Sequence, residues 1–417
     1  MYYIDWLLTV TFLGYVFLSI KNNPAIILGS ILIINICLEA ISINFVEAGA
    51  FNIELGMVTY RQGITIPLLF YLFIFYYFFA KTSTYTVLDN NYSEKLNSGE
   101  LNRNRYPTSY KFILYFPLIL ILLEIIGLSI YGVPLYSGVS RIVAAKSNKI
   151  AAILGGSASY ISLMCGFLFF IFRKKIGLYA FILHLILLIL QAHKFTAIIQ
   201  NSIAFFSISL VQMSSIEITK KQLIAFTVSL ILIIGVFYLV YSRGNQFSND
   251  LGLSTFQAMG YRAFYLVSHT FWGMHFYYDR NFIDPDITTF FDSARNMVRF
   301  MNPDPNIEES ISRGATFGMA FPGYLYFIAP PIIFPVFAMV FGSLSGYCIN
   351  ILRVSLSKNK FILSIISYVL MNHFQGIIIQ GNFYKIISAK SFFILFVIVF
   401  YFLIVKIHPK KQIKKAE

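Results

Sequence analysis

The sequence predicts an all-α polytopic membrane protein with about 11 transmembrane helices and one large outer loop. Three observations carry that expectation. Only 12% of the 417 residues are charged and 58% are hydrophobic, where a soluble domain has about a quarter charged. The apolar residues gather in runs of about 20, the length that spans a bilayer core. Those runs are continuous rather than alternating, which argues against a β-barrel.

The spans follow in order. Residues 6–20 form the first, closed by Lys21; the segment before it lacks a basic leader region and carries Asp5, so it reads as a span and not a cleaved signal. Residues 24–44 form the second, with Glu39 inside, and 64–80 the third. Residues 112–132 form the fourth, with Glu124 inside, and 150–172 the fifth, ended by Arg173, Lys174 and Lys175. Residues 176–191 and 195–211 are the sixth and seventh, joined through Ala192, His193 and Lys194, and 223–241 is the eighth. The ninth, within 317–352, is too long for one crossing; Pro322, Pro330, Pro331 and Pro335 predict a broken or re-entrant approach before the helix proper. Residues 361–379 and 392–405 complete the set. Three parts result: helices one to eight over 1–241, a loop over 242–314, and the last helices with a basic tail over 315–417.

The formal charge of +14 would raise nucleic acid as a partner of a soluble protein. Here it reads instead as the basic loops that stay cytoplasmic. The turns at Lys21, 81–111, 173–175, 220–221 and 353–360 and the C-terminal tail all fall on one side of an eleven-span arrangement. That places the N-terminus outside and the C-terminus in the cytoplasm. Cys37, Cys165 and Cys348 are scattered through apolar runs, without metal spacing or a disulfide framework.

The outer segment 242–314 is the only long stretch too polar for lipid. It carries Arg243, Arg262, Arg280, Arg295, Arg299 and Arg313 with acids such as Asp250, Asp286 and Glu308, so a salt-bridged cap accounts for part of its charge. A functional role is favoured where a cation sits in apolar company. On a helix, Arg262, Tyr265, His269 and Trp272 share one face. Arg141, Lys194, Arg243, Arg262 and Arg313 lie near outer span ends, where guanidinium and ammonium groups suit a lipid-linked phosphate. Arg280, Arg295 and Arg299 lie farther out and are expected to stabilise the cap. His269 is a candidate general base, against the alternative of a hydrogen-bonded packing residue.

Glu39 and Glu124 lie inside spans, where acids are costly and default to functional sites; each is expected to line a cavity or pair with an arginine. His184, mid-span and without an acidic neighbour in the sequence, is expected to be a packing residue. No phosphate-binding, dinucleotide-binding, zinc-protease or CxxC motif occurs. No DxD-type acidic pair stands in residues 46–61, so a reaction without metal or cofactor is expected.

Several segments together resemble the bacterial O-antigen and capsular polysaccharide polymerases of the Wzy type. Tyr131-Gly132-Val133-Pro134-Leu135 followed by Arg141 is similar to the family's external turn after an early span. Ala192-His193-Lys194-Phe195-Thr196 lies where members have a short Gly-Arg/Lys-Ser/Thr turn. Arg262 to Gly273 resembles a family segment of Arg, then Gly-His, then aromatic-Trp-Gly, with Ser268 here in place of that Gly. Arg313-Gly314-Ala315-Thr316-Phe317-Gly318 through Pro322-Gly323-Tyr324 resembles the loop's exit into the next span. The resemblance implies a GT-C-like glycosyltransferase of the bacterial inner membrane that joins undecaprenyl-pyrophosphate-linked oligosaccharides on the periplasmic side. A chain-length regulator protein is an expected partner. Arg262 and Arg141 would then hold pyrophosphate, Arg243 and Arg313 the second lipid, and His269 or a span acid would act as base. Lys194, Trp272 and Tyr265 would contribute to substrate binding. A flippase for the same lipid and an O-antigen ligase remain the alternatives.

Overall fold

Backbone polar groups in hydrocarbon must be satisfied within the chain, which leaves helices as the economical answer. A computed structural model describes residues 2–49, 63–84, 107–134, 158–191, 195–213, 266–301, 320–357 and 361–387, with single positions elsewhere. Among the described residues every regular element is helical. In chain order these are α1 (Tyr2–Asn22), α2 (Ser30–Glu47), α3 (Thr65–Ser83), α4 (Pro107–Tyr131), α5 (Ala158–Gly166), α6 (Ile176–Leu190), α7 (Phe195–Gln212), α8 (Leu266–Asp279), α9 (Ser293–Met301), α10 (Phe334–Ser357) and α11 (Phe361–Gln380).

Six described helices are long and apolar enough to cross a membrane: α1, α2 with its leading turn, α3, α4, α10 with its leading turn, and α11. Residues 159–171, 176–190 and 197–212 are shorter apolar helices. Large apolar side chains stand exposed along the outside, such as Leu7, Val10 and Phe17 on α1 and Tyr115, Ile119 and Leu122 on α4. Such a continuous apolar exterior fits lipid and not water. The protein is thus an all-α membrane protein. Apart from single positions, the expected spans at 223–241 and 392–405 lie outside the described residues.

Proline shapes two of the helix starts. Pro24 opens a 3-10 turn, Pro24–Gly29, that leads into α2, a pre-organised use of its fixed φ. The approach to α10 is broken as expected: 3-10 turns Gly323–Phe327 and Pro331–Ile333 precede the helix. The chain entering these turns caps α11, because the N–H groups of Ala320 and Phe321 both donate to the Ile379 carbonyl (2.8 and 3.2 Å). Glu47 at the end of α2 joins the next helix. Its carboxylate accepts from the Ile64 N–H (2.6 Å) and the Thr65 hydroxyl (2.7 Å), covering the first donors of α3.

Two cores result. The larger gathers α2, α3, α8, α10, α11 and the 320–333 turns around Phe75, Tyr76, Phe79, Trp272, Tyr324 and Ile349. The tightest pair is α3 with α10. A β-carbon at Gly342 would overlap the Phe75 carbonyl, and one at Gly346 the Phe79 carbonyl and the Thr82 hydroxyl. The smaller core holds α4 to α7 together around Leu120, Cys165, Phe181 and Phe205, where the Phe181 and Phe205 rings stack at 4.1 Å. The three cysteines are free thiols.

That smaller core overturns the expectation for His184. Its Nδ1 lies 2.8 Å from Glu124 Oε2, and both side chains are sealed from the surface. The partners stand on α4 and α6, 60 positions apart, so no local pattern in the sequence brings them together. The same contact corrects the arginine expected for Glu124. Its partner is an imidazole.

Candidate functional site

The stretch that forms α8 is apolar or aromatic on every face, LVSHTFWGMHFYYD, and such a helix must be covered all round. On one side α2 covers it. The Ser268 hydroxyl donates to the Glu39 carbonyl (2.6 Å), and the Ser268 N–H donates to the Ser42 hydroxyl (3.2 Å). On the other side lies the Gly323–Phe327 turn. Gly323 allows that approach, since a β-carbon there would sit 3.3 Å from the main chain of Thr270 and Phe271.

His269 and Trp272 come together on α8, as their spacing predicts, with near-parallel rings 6.2 Å apart. Phe276 stacks next to the indole at 5.3 Å. His269 is 3% exposed and Trp272 is fully buried, so both belong to the protein core. Arg141, Lys194, Arg243, Arg262, Tyr265 and Arg313 lie outside the described residues. The three arginines expected to brace the cap are bound locally. Arg280 lies over the Phe276 ring (3.5 Å), Arg295 pairs with Asp292 (3.1 Å) and lies over Tyr384 (4.1 Å), and Arg299 donates to Asn296 (3.0 Å).

Burial holds the His269 pKa down at about 4, below its ordinary 6.5, because a low dielectric disfavours the imidazolium. The ring is therefore neutral at neutral pH. Below about pH 6.5 the unfolded chain binds a proton that the folded chain does not. Stability then falls with pH and levels off near the folded value, a loss on the order of 3 kcal/mol. His269→Gln is expected to flatten that part of the acid limb, read as melting temperature across pH in detergent.

Two further groups lie near α8, of which the sequence singled out only Glu39. His275 Nδ1 lies 2.6 Å from the Tyr326 hydroxyl, and its Nε2 lies 3.3 Å from Asp279. Burial lowers the His275 pKa and the Asp279 charge partly opposes that shift. The other group is centred on Glu39. It is fully buried, and neither carboxylate oxygen has a hydrogen-bond partner among the described residues. The arginine expected to pair with it is not among them. Tyr324, also fully buried, has a hydroxyl in the same condition. The spacing of Asp279 from His275 was readable as an i,i+4 pair. Tyr324 carried no such signal, since its burial depends on elements far apart in the chain.

Fold and site define a class: an all-α membrane protein in which α8 is inserted beside α2, whose buried Glu39 carboxyl has no hydrogen-bond partner among the described residues. Residues 293–395, about a quarter of the chain, match a family of unknown function, DUF6418. The matched stretch includes α9, the Tyr324 turn, α10 and α11. No curated protein and no solved structure matches the chain.

Proposed function

We propose that the protein is a glycosyltransferase of the bacterial inner membrane. It joins undecaprenyl-pyrophosphate-linked oligosaccharide repeat units into O-antigen or capsular polysaccharide at the periplasmic face. About eleven spans in a GT-C-like arrangement, with the N-terminus outside and the C-terminus inside, belong to this reading. The observation that carries it is the insertion of α8 between α2 and the Gly323–Phe327 turn. A mere cap would rest on the helices. This one enters them, packing Phe271 and Trp272 into the same core as Tyr324 and bonding Ser268 to the Glu39 carbonyl. The arginines of the outer segment would hold the two pyrophosphates and stabilise the departing one as its charge develops.

The buried Glu124–His184 pair favours a second reading, because intramembrane acid–histidine pairs also serve proton-driven transport. A flippase for the same lipid-linked sugar is that alternative. One experiment separates the two. Deleting the chain from its host and running the surface polysaccharide on a gel is expected to remove the ladder while a single capping repeat remains. Loss of every repeat would point instead to a flippase or a ligase.

A further inference from the structure

Ile332, 84% exposed, stands at the start of an apolar stripe on α10. Val336, Val340 and Leu344 continue that stripe at a spacing of four, and all are exposed. The span from Pro331 to Ser357 has 27 residues, where about 20 cross a bilayer core. Its ends therefore reach the interfacial layers, and Ile332 and Ile333 stand at one of them.

Apolar side chains from two other segments are exposed at that end. Phe282 is 63% exposed and Ile287 61%, and Phe291 and Ile386 are exposed as well. Their turns are fastened there. The Asp286 N–H and the Thr289 hydroxyl both donate to the Phe327 carbonyl (2.9 and 2.7 Å), just ahead of Pro331. Phe290 stacks on Phe383 at 4.2 Å, which joins the Ile287–Phe291 turn to the Phe383–Ile387 turn after α11. Single apolar residues on a surface are ordinary. Six from three segments, gathered where a lipid-facing stripe ends, are a surface with an occupant.

The polar residues among them suit the same level. Arg295 lies over the Tyr384 ring at 4.1 Å, and Lys385 is the next residue; tyrosine and long cationic chains favour the headgroup layer. The Asp286 carboxylate is engaged within its own turn, where it accepts from the Thr288 N–H (2.9 Å). Asp284 and Asp292 limit the depth, because carboxylates are costly in hydrocarbon.

We propose that the turns at 282–291, 331–333 and 383–387 form a collar seated in the interfacial layer of the membrane, with its apolar tips among the upper acyl chains of phospholipid. The occupant follows from continuity: the α10 stripe faces lipid, and the collar carries the same surface outward from its end. The collar holds the segment bearing α8 and α9 down on the bilayer, so that segment is not a domain standing free in water. This inference is independent of the polymerase reading.

The test uses the full, unaltered chain in phosphatidylcholine vesicles. A carbene-forming probe dissolved in the lipid and hydroxyl radicals generated in the water label it in separate samples, read residue by residue by mass spectrometry. Phe282, Ile287, Ile332 and Ile386 are expected to take the lipid-borne label at a level like that of Val340 and Leu344. Predominant labelling from water overturns the inference. Protection from both reagents overturns it too, because protein and not lipid then covers the face. A second arm replaces Ile287→Asp together with Ile332→Asp. The lipid-borne label at Phe282 and Ile386 is expected to fall several-fold while Val340 and Leu344 keep theirs, which shows the span still inserted. Unchanged labelling at Phe282 and Ile386 overturns the collar as a unit. Should the double variant fail to accumulate, Ile287→Asp alone decides that arm.

Discussion

Replacing Gly342 or Gly346 with leucine is expected to remove most of the protein from the membrane fraction. These glycines let α10 lie directly on the backbone of α3, Gly342 at Phe75 and Gly346 at Phe79. Without water to drive helices together in lipid, close backbone contact of this kind supplies much of the attraction. A side chain at either position separates the helices along their whole contact and opens gaps around Phe75, Phe79 and Ile349. Overpacking of a tight site costs about 1–3 kcal/mol and sometimes more; here backbone, not a flexible side-chain tip, is in the way. Membrane abundance and thermal melts check the prediction. Gly14→Leu is the control, because a β-carbon there meets nothing within 4 Å.

The second large effect lies in the smaller core. Glu124→Ala and His184→Ala each strand a buried polar partner, and each is expected to cost about 3–5 kcal/mol. The double replacement Glu124→Leu with His184→Leu is expected to recover most of that loss, because well-packed apolar groups often serve a buried pair's place equally well. A double-mutant cycle on thermal unfolding measures the coupling. If the singles are mild and the double is additive, the 2.8 Å contact contributes little. The same variants bear on the transport reading, which requires the singles to stop function even when the protein accumulates.

Much of this architecture was readable because lipid leaves the chain few choices. Apolar runs became helices at 65–83, 176–190 and 361–380 within a few residues of the expected limits. The prolines at 322, 330 and 331 correctly marked a broken approach to α10. The spacing of His269 and Trp272 correctly put them together on one helix. The depth of that helix was less legible, because its serine and histidines look polar until Ser268 is seen bonded to α2. The close approach at Gly342-Ser343-Leu344-Ser345-Gly346 had a signal in the sequence, small residues four apart, that the hydropathy pattern masks. The Glu124–His184 contact had none, since long-range pairing depends on how α4 and α6 rotate against each other. The arginines expected to bind pyrophosphate stand outside the described residues, so their grouping still rests on the sequence.

The fastening of α8 on two sides has a practical consequence for handling the segment 242–314. Cut loose as a recombinant fragment, residues 242–314 would present Phe271, Trp272 and Met274, all now fully buried, to water. Such a fragment should aggregate, and antibodies raised against it would recognise surfaces that the intact protein never displays.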